Sequence, residues 1–355
     1  SWTAPASDGG SAILKYQISK DNGANWTDVG LNTSHTFTDL TNGTEYTFKV
    51  RAVNSAGNGA EASAAATPTE YVCEIGTIKY ATLDAALAAV GIGETKTITL
   101  LQNIDYDQGI ALDNQKITFE LNEYTLNLVS SVEGVHALGV YNGGGVALSG
   151  TGALNVTGPA NGCGVTVHSN SALSEVTVTN ASAFGPDSKA AHTYGQASLT
   201  VLGDATATGI RSYGIHAQAG STLEVQGSVS ADHEGVCVSA ATARVMGNVQ
   251  SSGNDLIGNP EGIGISVYNG AAEIGGNVTA NRVGAMMRAG GSITLDGILT
   301  APDYIQFADD DPITIDDYVL PTTKAGYRTY QQSSNTVWIK GEAPPAQYSI
   351  TVEND

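Results

Sequence analysis

A short motif recurs through residues 134–300 at steps of about 20–30 residues, and this repeat constrains the fold most strongly. Each copy opens with a small residue, continues with alternating apolar residues and ends at a small-residue turn. The motif begins at Gly134, Gly162, Ser188, Gly214, Gly235, Gly262 and Gly284. Two further short strands follow most copies. Three short strands per repeat predict a three-sided β-solenoid, because each coil buries its apolar side chains only against its neighbours.

Alternation within the motif separates inward from outward side chains. It predicts that Ile215, Val236 and Ile263 stack inward on successive coils. One predicted outward column contains Tyr141, His168, Tyr194, Gln218, Ser239, Tyr268 and Arg288. The next outward column contains Thr166, His192, His216, Cys237, Ser266 and Met286.

These columns predict a glycan-binding strip in which tyrosines stack on sugar rings and polar side chains form hydrogen bonds. The candidate ligand-binding residues are Tyr141, His168, His192, Tyr194, His216, Gln218, Tyr268 and Arg288. An ordinary solvated outer face is the alternative, because polar side chains are expected there in any case.

Composition limits the choice of partner. Charged residues make up 14% of the chain, and the formal net charge is −20. A surface this acidic repels nucleic acid and anionic lipid, and it disfavours polyanionic glycans unless cations screen the repulsion. No apolar run of about 18 residues is present, so no membrane insertion is expected. Glycans and host or cell-surface proteins remain the predicted partners.

Residues 1–69 show short alternating strands separated by turns, such as that at Asp21-Asn22-Gly23. They resemble a fibronectin type III domain through Trp2, Pro5, Asp8-Gly9-Gly10, Tyr16, Trp26, Leu40, Gly43, Tyr46 and the run from Val50 to Gly57. The resemblance implies a β-sandwich in which the Tyr46 hydroxyl holds a loop. It also implies that the first strand and part of the second precede Trp2, so the module is expected to be incomplete. A spacer role is predicted for it.

The later repeat resembles the pectin-lyase-like right-handed parallel β-helices, in particular a family of bacterial cell-surface proteins. Residues 82–90 support this resemblance, because they have helix-forming composition with Thr82 as a candidate N-cap. In that family a short helix caps the open first coil. The superfamily includes lyases, hydrolases, epimerases and non-enzymes, so the resemblance indicates the fold rather than an activity.

The chain is therefore predicted to be all-β, with four segments. These are a fibronectin-type-III-like module at 1–69, a linker and capping helix at 70–95, a right-handed three-sided β-helix with its C-terminal cap at 96–342, and a linker with the start of a further module at 343–355. Both ends are expected to continue into a longer secreted protein.

Aspartates and histidines are the candidate metal ligands in this sequence. The run Asp309, Asp310 and Asp311 offers oxygen ligands to Ca²⁺, but it lacks the spacing of a calcium loop, and a solvated turn is the alternative. The histidines have no carboxylate partner at ligand spacing, which disfavours a site for another metal. No other cofactor is predicted.

Cysteines are few. Cys163 and Cys237 are expected to lie three coils, or about 14 Å, apart, too far for a disulfide. Together with Cys73, they are predicted to be free thiols that behave as small apolar residues.

The resulting function is a non-catalytic extracellular segment, an adhesin or a glycan-binding stalk. The alternative is a carbohydrate-active enzyme, either a polysaccharide lyase or a glycoside hydrolase. A lyase would need a cation such as Arg211, Arg282 or Arg288 beside acidic residues, and a hydrolase would need paired carboxylates. The two predicted columns contain neither Asp nor Glu, and residues 184–187 resemble only part of an epimerase motif.

Overall fold

The computed structural model describes residues 1–253, 262–307, 312–319 and 323–341. The chain divides into two compact units between Tyr71 and Val72. Both units are built from strands, and the described residues contain one short helix. The predicted all-β class, with a sandwich-like N-terminal unit and a parallel β-solenoid, is confirmed.

The first unit is an antiparallel sheet in which β3 pairs with β1, β4 and β5, and β2 pairs with β1. Its strands are β1 (Lys15–Ser19), β2 (Thr27–Asp28), β3 (Tyr46–Asn54), β4 (Gly57–Asn58) and β5 (Ala62–Ala66). Tyr16 is buried, and Trp2 contacts its ring edge-on with centroids 5.6 Å apart. The backbone N–H of Thr41 donates to the Tyr46 hydroxyl at 3.0 Å, as the resemblance implies.

The second unit opens with a hairpin and a helix. They are β6 (Cys73–Ile75), β7 (Ile78–Tyr80) and α1 (Leu83–Ala88). The predicted N-cap is confirmed, because the Thr82 hydroxyl accepts a hydrogen bond from the Ala85 N–H at 3.2 Å. Leu83 and Ala86 are buried, so this helix closes the core at the first coil.

Three parallel ladders of strands form the solenoid, and successive coils continue each ladder. Face 1 consists of β10 (Ile110–Asp113), β13 (Leu138–Tyr141), β16 (Cys163–Val178), β18 (Lys189–Val201), β20 (Tyr213–Gln218), β23 (Glu234–Ser239), β26 (Ile263–Ile274), β28 (Val283–Leu295) and β30 (Asp303–Phe307).

The long strands β16, β18, β26 and β28 bend at a corner and continue into face 2. The other strands of face 2 are β8 (Thr95–Leu100), β11 (Lys116–Glu120), β14 (Gly145–Ser149), β21 (Thr222–Val225), β24 (Thr242–Val245) and β32 (Asn335–Lys340). The strand β31 (Tyr327–Gln332) pairs antiparallel with β32 at the C-terminal end.

Face 3 is a separate nine-stranded sheet within the described part of the chain. It consists of β9 (Ile104–Tyr106), β12 (Thr125–Val129), β15 (Ala153–Gly158), β17 (Asn180–Phe184), β19 (Ala205–Thr208), β22 (Val229–Ala231), β25 (Val249–Ser251), β27 (Val278–Ala280) and β29 (Leu299–Thr300). The inward residues of all three faces form one continuous apolar core.

The inward stack on face 1 departs from the predicted one at a single coil. Ile215 and Val236 are in register, as expected, but the next residue is Ile265 rather than Ile263. Ile263 lies opposite Glu234, two residues earlier on the strand. The predicted start of this copy at Gly262 was therefore wrong, and Gly264 occupies the equivalent position. The predicted starts at Gly134, Gly162 and Ser188 were also wrong, because the register aligns Gly214 with Ala137, Gly164 and Ala190.

A column of glycines lies at the corner between faces 3 and 1. A Cβ atom on Gly214, Gly235 or Gly264 would lie 2.3–2.5 Å from the side chain of a buried valine on face 3. It would also lie 2.6–2.7 Å from the carbonyl oxygen of the equivalent glycine on the next coil. On these three coils the chain approaches its neighbours too closely for a side chain, whereas Ala137 and Ala190 occupy the equivalent position on two earlier coils.

Side-chain acceptors on face 3 tie each coil to the next. Each of these side chains accepts a hydrogen bond, at 2.7–3.1 Å, from the backbone N–H of the equivalent residue on the next coil. The acceptors are Asn180, Asp204, Ser228, Asn248 and Asn277. This ladder satisfies backbone donors at a corner where the chain leaves one sheet for another.

Replacing Asn248 with Ala is expected to lower the free energy of unfolding by about 1 kcal/mol, because the Asn277 N–H loses its acceptor. Urea denaturation and hydrogen exchange at the Asn277 amide measure the effect. Asn248→Asp is the control, because it keeps the acceptor oxygen. An equal loss in both variants would contradict a role for the acceptor.

Candidate functional site

The predicted first outward column forms one ladder along face 1. The register joins Asp113, Tyr141, His168, Tyr194, Gln218, Ser239, Tyr268 and Arg288 across eight successive coils. We call this set the outer ladder. Parallel strands lie about 4.8 Å apart, so the ladder presents side chains at a fixed short repeat. The sequence pattern missed only Asp113, which extends the ladder toward the N-terminal cap.

Aromatic side chains on the outer ladder differ in accessibility. Tyr268 is 53% exposed and Tyr194 is 36% exposed. His168 packs edge-on against Tyr194, with ring centroids 4.6 Å apart. Tyr141 is less accessible because its ring lies over Gly139, where a Cβ atom would approach the hydroxyl to 2.5 Å. Tyr194 and Tyr268 therefore present the ring surface that is available to a ligand.

The predicted second column is also in register and forms what we call the inner ladder. Its members are Gly139, Thr166, His192, His216, Cys237, Ser266, Met286 and Gln306. His192 Nε2 donates to the Gln218 side-chain oxygen at 3.0 Å, and its Nδ1 accepts from the Thr166 hydroxyl at 3.1 Å. These contacts link three coils and hold His192 as a neutral tautomer.

Burial keeps the inner-ladder histidines uncharged. It lowers the pKa of His192 to about 4 and that of His216 to about 3, and the neighbouring Lys189 adds to both shifts. The His216 ring stacks on Tyr213 with centroids 5.2 Å apart and planes 18° apart. Its Nδ1 is buried without a hydrogen-bond partner.

All three cysteines are free thiols, as predicted. Burial and the neighbouring Glu234 raise the pKa of Cys237 far above its ordinary value. Burial likewise raises the pKa of Cys163 to about 12 and that of Cys73 to about 11. These thiols are protonated near neutral pH, so they do not act as nucleophiles there.

A third ladder lies at the start of the face 1 strands and was not found from the sequence. It contains Cys163, Lys189, Tyr213, Glu234, Ile263, Val283 and Asp303. Simple alternation places these residues on the same side as the buried stack of Ile215. The chain bends at the corner glycine instead, and the stacking of Tyr213 on His216 shows that both rings lie on the outer side. We call this set the corner ladder.

Carboxylates on these three ladders are far apart. Glu234 and Asp303 are separated by three coils, and Asp113 is five coils from Glu234. At about 4.8 Å per coil the smallest separation is roughly 14 Å, larger than the 5–9.5 Å that glycosidases use. The three ladders therefore do not supply a hydrolytic pair.

The predicted cations and metal ligands have different surroundings. Arg211 forms an ion pair with Asp187, and its Nε donates to that carboxylate at 2.7 Å. Arg288 is the last described member of the outer ladder, and Arg282 precedes the same strand. Asp309, Asp310 and Asp311 lie outside the described residues. Within the described ranges, no group of three His, Cys, Asp or Glu side chains is placed to hold a metal ion.

Together, the fold and these ladders define a protein with a sandwich-like module and a β-solenoid that carries a flat face of aligned side chains. The family model of the fibronectin type III domain matches residues 1–69. No solved structure matches the chain. In the part of the chain that the structure describes, no helix has the length and apolar character needed to span a membrane.

Proposed function

We propose that the solenoid is a non-catalytic recognition segment of an extracellular protein, and that face 1 binds an extended glycan. The observation that carries this proposal is the unbroken outer ladder, with Tyr194 and Tyr268 exposed on one flat surface. Aromatic rings provide apolar contact area, and Gln218 and Ser239 between them provide hydrogen-bonding groups. A polymer of repeated units suits a surface that itself repeats along one axis.

Other observations agree with binding rather than catalysis. The ladders lack a close carboxylate pair, and the thiol on the inner ladder is held protonated by burial and Glu234. The match of residues 1–69 to the fibronectin type III model fits a modular extracellular protein. The position of the solenoid in the pectin-lyase-like superfamily, its right-handed winding and its bacterial origin remain predictions from the resemblance.

Glycan binding is tested with the full chain on an array of neutral and acidic polysaccharides. The double variant Tyr194→Ala/Tyr268→Ala is expected to lose at least about tenfold in affinity for the glycan that binds, because two exposed ring surfaces are removed. The control is Phe184→Ala, since Phe184 is an aromatic residue of similar exposure, 51%, on face 3. Equal binding by the double variant would contradict the proposal, and so would binding of a host protein alone.

A further inference from the structure

Four β-turns stack at the corner between faces 3 and 1, one from each of four successive coils. They are residues 132–135, 159–162, 185–188 and 209–212, which we call the turn strip. In three of them the N–H of the fourth residue donates to the carbonyl oxygen of the first residue at 3.0–3.1 Å. The third residue of every turn has a φ between +54° and +76°, as in a type II turn. These third residues are Gly134, Asn161, Asp187 and Arg211.

Backbone hydrogen bonds between coils hold these turns in register. In each of the first three turns, the N–H of the third residue donates to the carbonyl oxygen of the second residue of the next turn, at 2.8–3.0 Å. The second residues therefore form one straight row with a repeat of about 4.8 Å. In chain order this row contains Glu133, Ala160, Pro186 and Ile210.

Apolar side chains cover much of the turn strip. Val132 is 64% exposed, Ile210 is 55% exposed and Val135 is 43% exposed. Pro186 in the middle of the row is also exposed. A single exposed apolar side chain is ordinary on a protein surface, but several on adjacent coils mark an interaction surface. The turn strip therefore has the character of a surface that another macromolecule covers.

Charged side chains lie toward opposite ends of the turn strip. On its first coil the Glu133 carboxylate accepts a hydrogen bond from the Asn161 amide. On its fourth coil the Arg211 guanidinium pairs with Asp187 of the third coil. The strip therefore has an acidic end and an end that carries the arginine, three coils or about 14 Å apart.

We propose that the turn strip binds the turn strip of a second copy of this chain, with the two solenoids antiparallel about a twofold axis. An evenly spaced row is complementary to its own reverse, and a twofold interface pairs the same patch of both copies. The axis passes between the second and third coils of the strip. Ala160 then lies opposite Pro186 of the second copy, and the apolar residues of the row cover one another.

Charge favours a second copy in this orientation. The antiparallel arrangement places Glu133 of each copy beside Arg211 of the other. The five N–H donors of a guanidinium allow Arg211 to bind this carboxylate and to keep Asp187. A twofold axis along the solenoid would instead place Glu133 opposite its own equivalent. Two chains of net charge −20 repel one another over most of their surfaces, so they associate where apolar groups and an arginine meet an acid.

Sedimentation equilibrium of the full chain over a range of concentrations measures the dimer. Ile210→Asp should weaken dimerisation at least about tenfold, because the interface would then bury two added carboxylates. Leu202→Asp is the matched control. Leu202 is 42% exposed at the corner between faces 2 and 3, so its replacement should leave the dimer unchanged. Circular dichroism checks that both variants fold.

Disulfide trapping tests the antiparallel orientation. Glu133→Cys mixed with Ile210→Cys should give a disulfide-linked dimer of the two variants under mild oxidation. Neither variant alone should crosslink, because equivalent residues of the two copies would lie three coils, or about 14 Å, apart, and a disulfide needs Cα atoms within about 7 Å. Burial keeps the native thiols protonated near neutral pH, so they compete poorly.

Several outcomes would overturn the dimer or its geometry. A chain that stays monomeric up to millimolar concentration would refute the dimer. A dimer that Ile210→Asp and Leu202→Asp weaken equally, or that neither weakens, would place the interface elsewhere. Efficient crosslinking of Glu133→Cys with itself would refute the antiparallel orientation. The inference is independent of the proposed function, because a monomer that binds glycan refutes the dimer alone.

Discussion

Gly235→Ala is expected to lower the free energy of unfolding of the solenoid by about 3 kcal/mol, near the top of the range for overpacking. The added Cβ would lie 2.4 Å from Val249 Cγ1 and 2.7 Å from the carbonyl oxygen of Gly264. Neither group can move away without a shift of the surrounding structure, because Val249 is buried in the core and the carbonyl belongs to the backbone of the next coil. Urea denaturation followed by circular dichroism gives the change.

Gly220→Ala is the matched control for this substitution. Gly220 has a φ of +87°, but its Cβ would meet nothing within 4 Å. Only backbone strain opposes alanine there, so about 1 kcal/mol is expected to be lost. If both variants lose the same amount, close approach of the coils is not the reason for glycine at the corner. Gly235→Ala should also weaken glycan binding, because moving one coil breaks the spacing of the ladders on either side.

The solenoid could be predicted from its period because two local requirements coincide at every coil. Small residues are needed at the corners and apolar residues in the core, so the pattern of Gly214 and Ile215 recurs in recognisable form. The outer and inner ladders could also be predicted, because inward and outward side chains alternate along a strand and the outward positions follow once the inward residues are known. The same reasoning identified Thr82 as the N-cap, since capping depends on local sequence.

The copy that was predicted to begin at Gly262 shows the limit of this reasoning. Gly262 and Gly264 are separated by one residue and fit the alternation equally well. They differ in the space around the Cα atom and in backbone conformation. Gly264 lies at the corner where a Cβ would meet Val278 at 2.5 Å, whereas Gly262 has a φ of +88° and precedes the strand. Such a contact involves residues on two other strands, and no local pattern encodes it.

The corner ladder was missed for a related reason. Alternation assigns Lys189 and Tyr213 to the buried side of the strand, where a lysine would be improbable on energetic grounds. The bend at the following corner residue reverses their direction and places them beside the inner-ladder histidines. The acceptor ladder on face 3 was also missed, because Asn248 and Asn277 resemble ordinary turn residues until the register joins them.

Lowering the pH from 7 to 4.5 is expected to reduce the stability of the solenoid by on the order of 5 kcal/mol through His192 and His216 together. Burial holds their pKa values at about 4 and about 3, whereas an unfolded histidine titrates near 6.5. Below pH 6.5 the unfolded chain therefore takes up protons that the folded chain does not. Stability is full above pH 6.5 and falls steadily as the pH drops toward 4.

The groups around these rings strengthen the effect. Lys189 and His136 oppose a further positive charge on His192, and the Gln218 oxygen compensates only in part. His192→Gln/His216→Gln should therefore flatten the stability profile between pH 6.5 and 4.5, while His35→Gln, in the other unit, should not. Hydrogen exchange of the β18 and β20 amides at several pH values measures this directly. An unchanged profile in the double variant would mean that protonation of the inner ladder does not limit acid stability, and that carboxylates such as Asp187 control it instead.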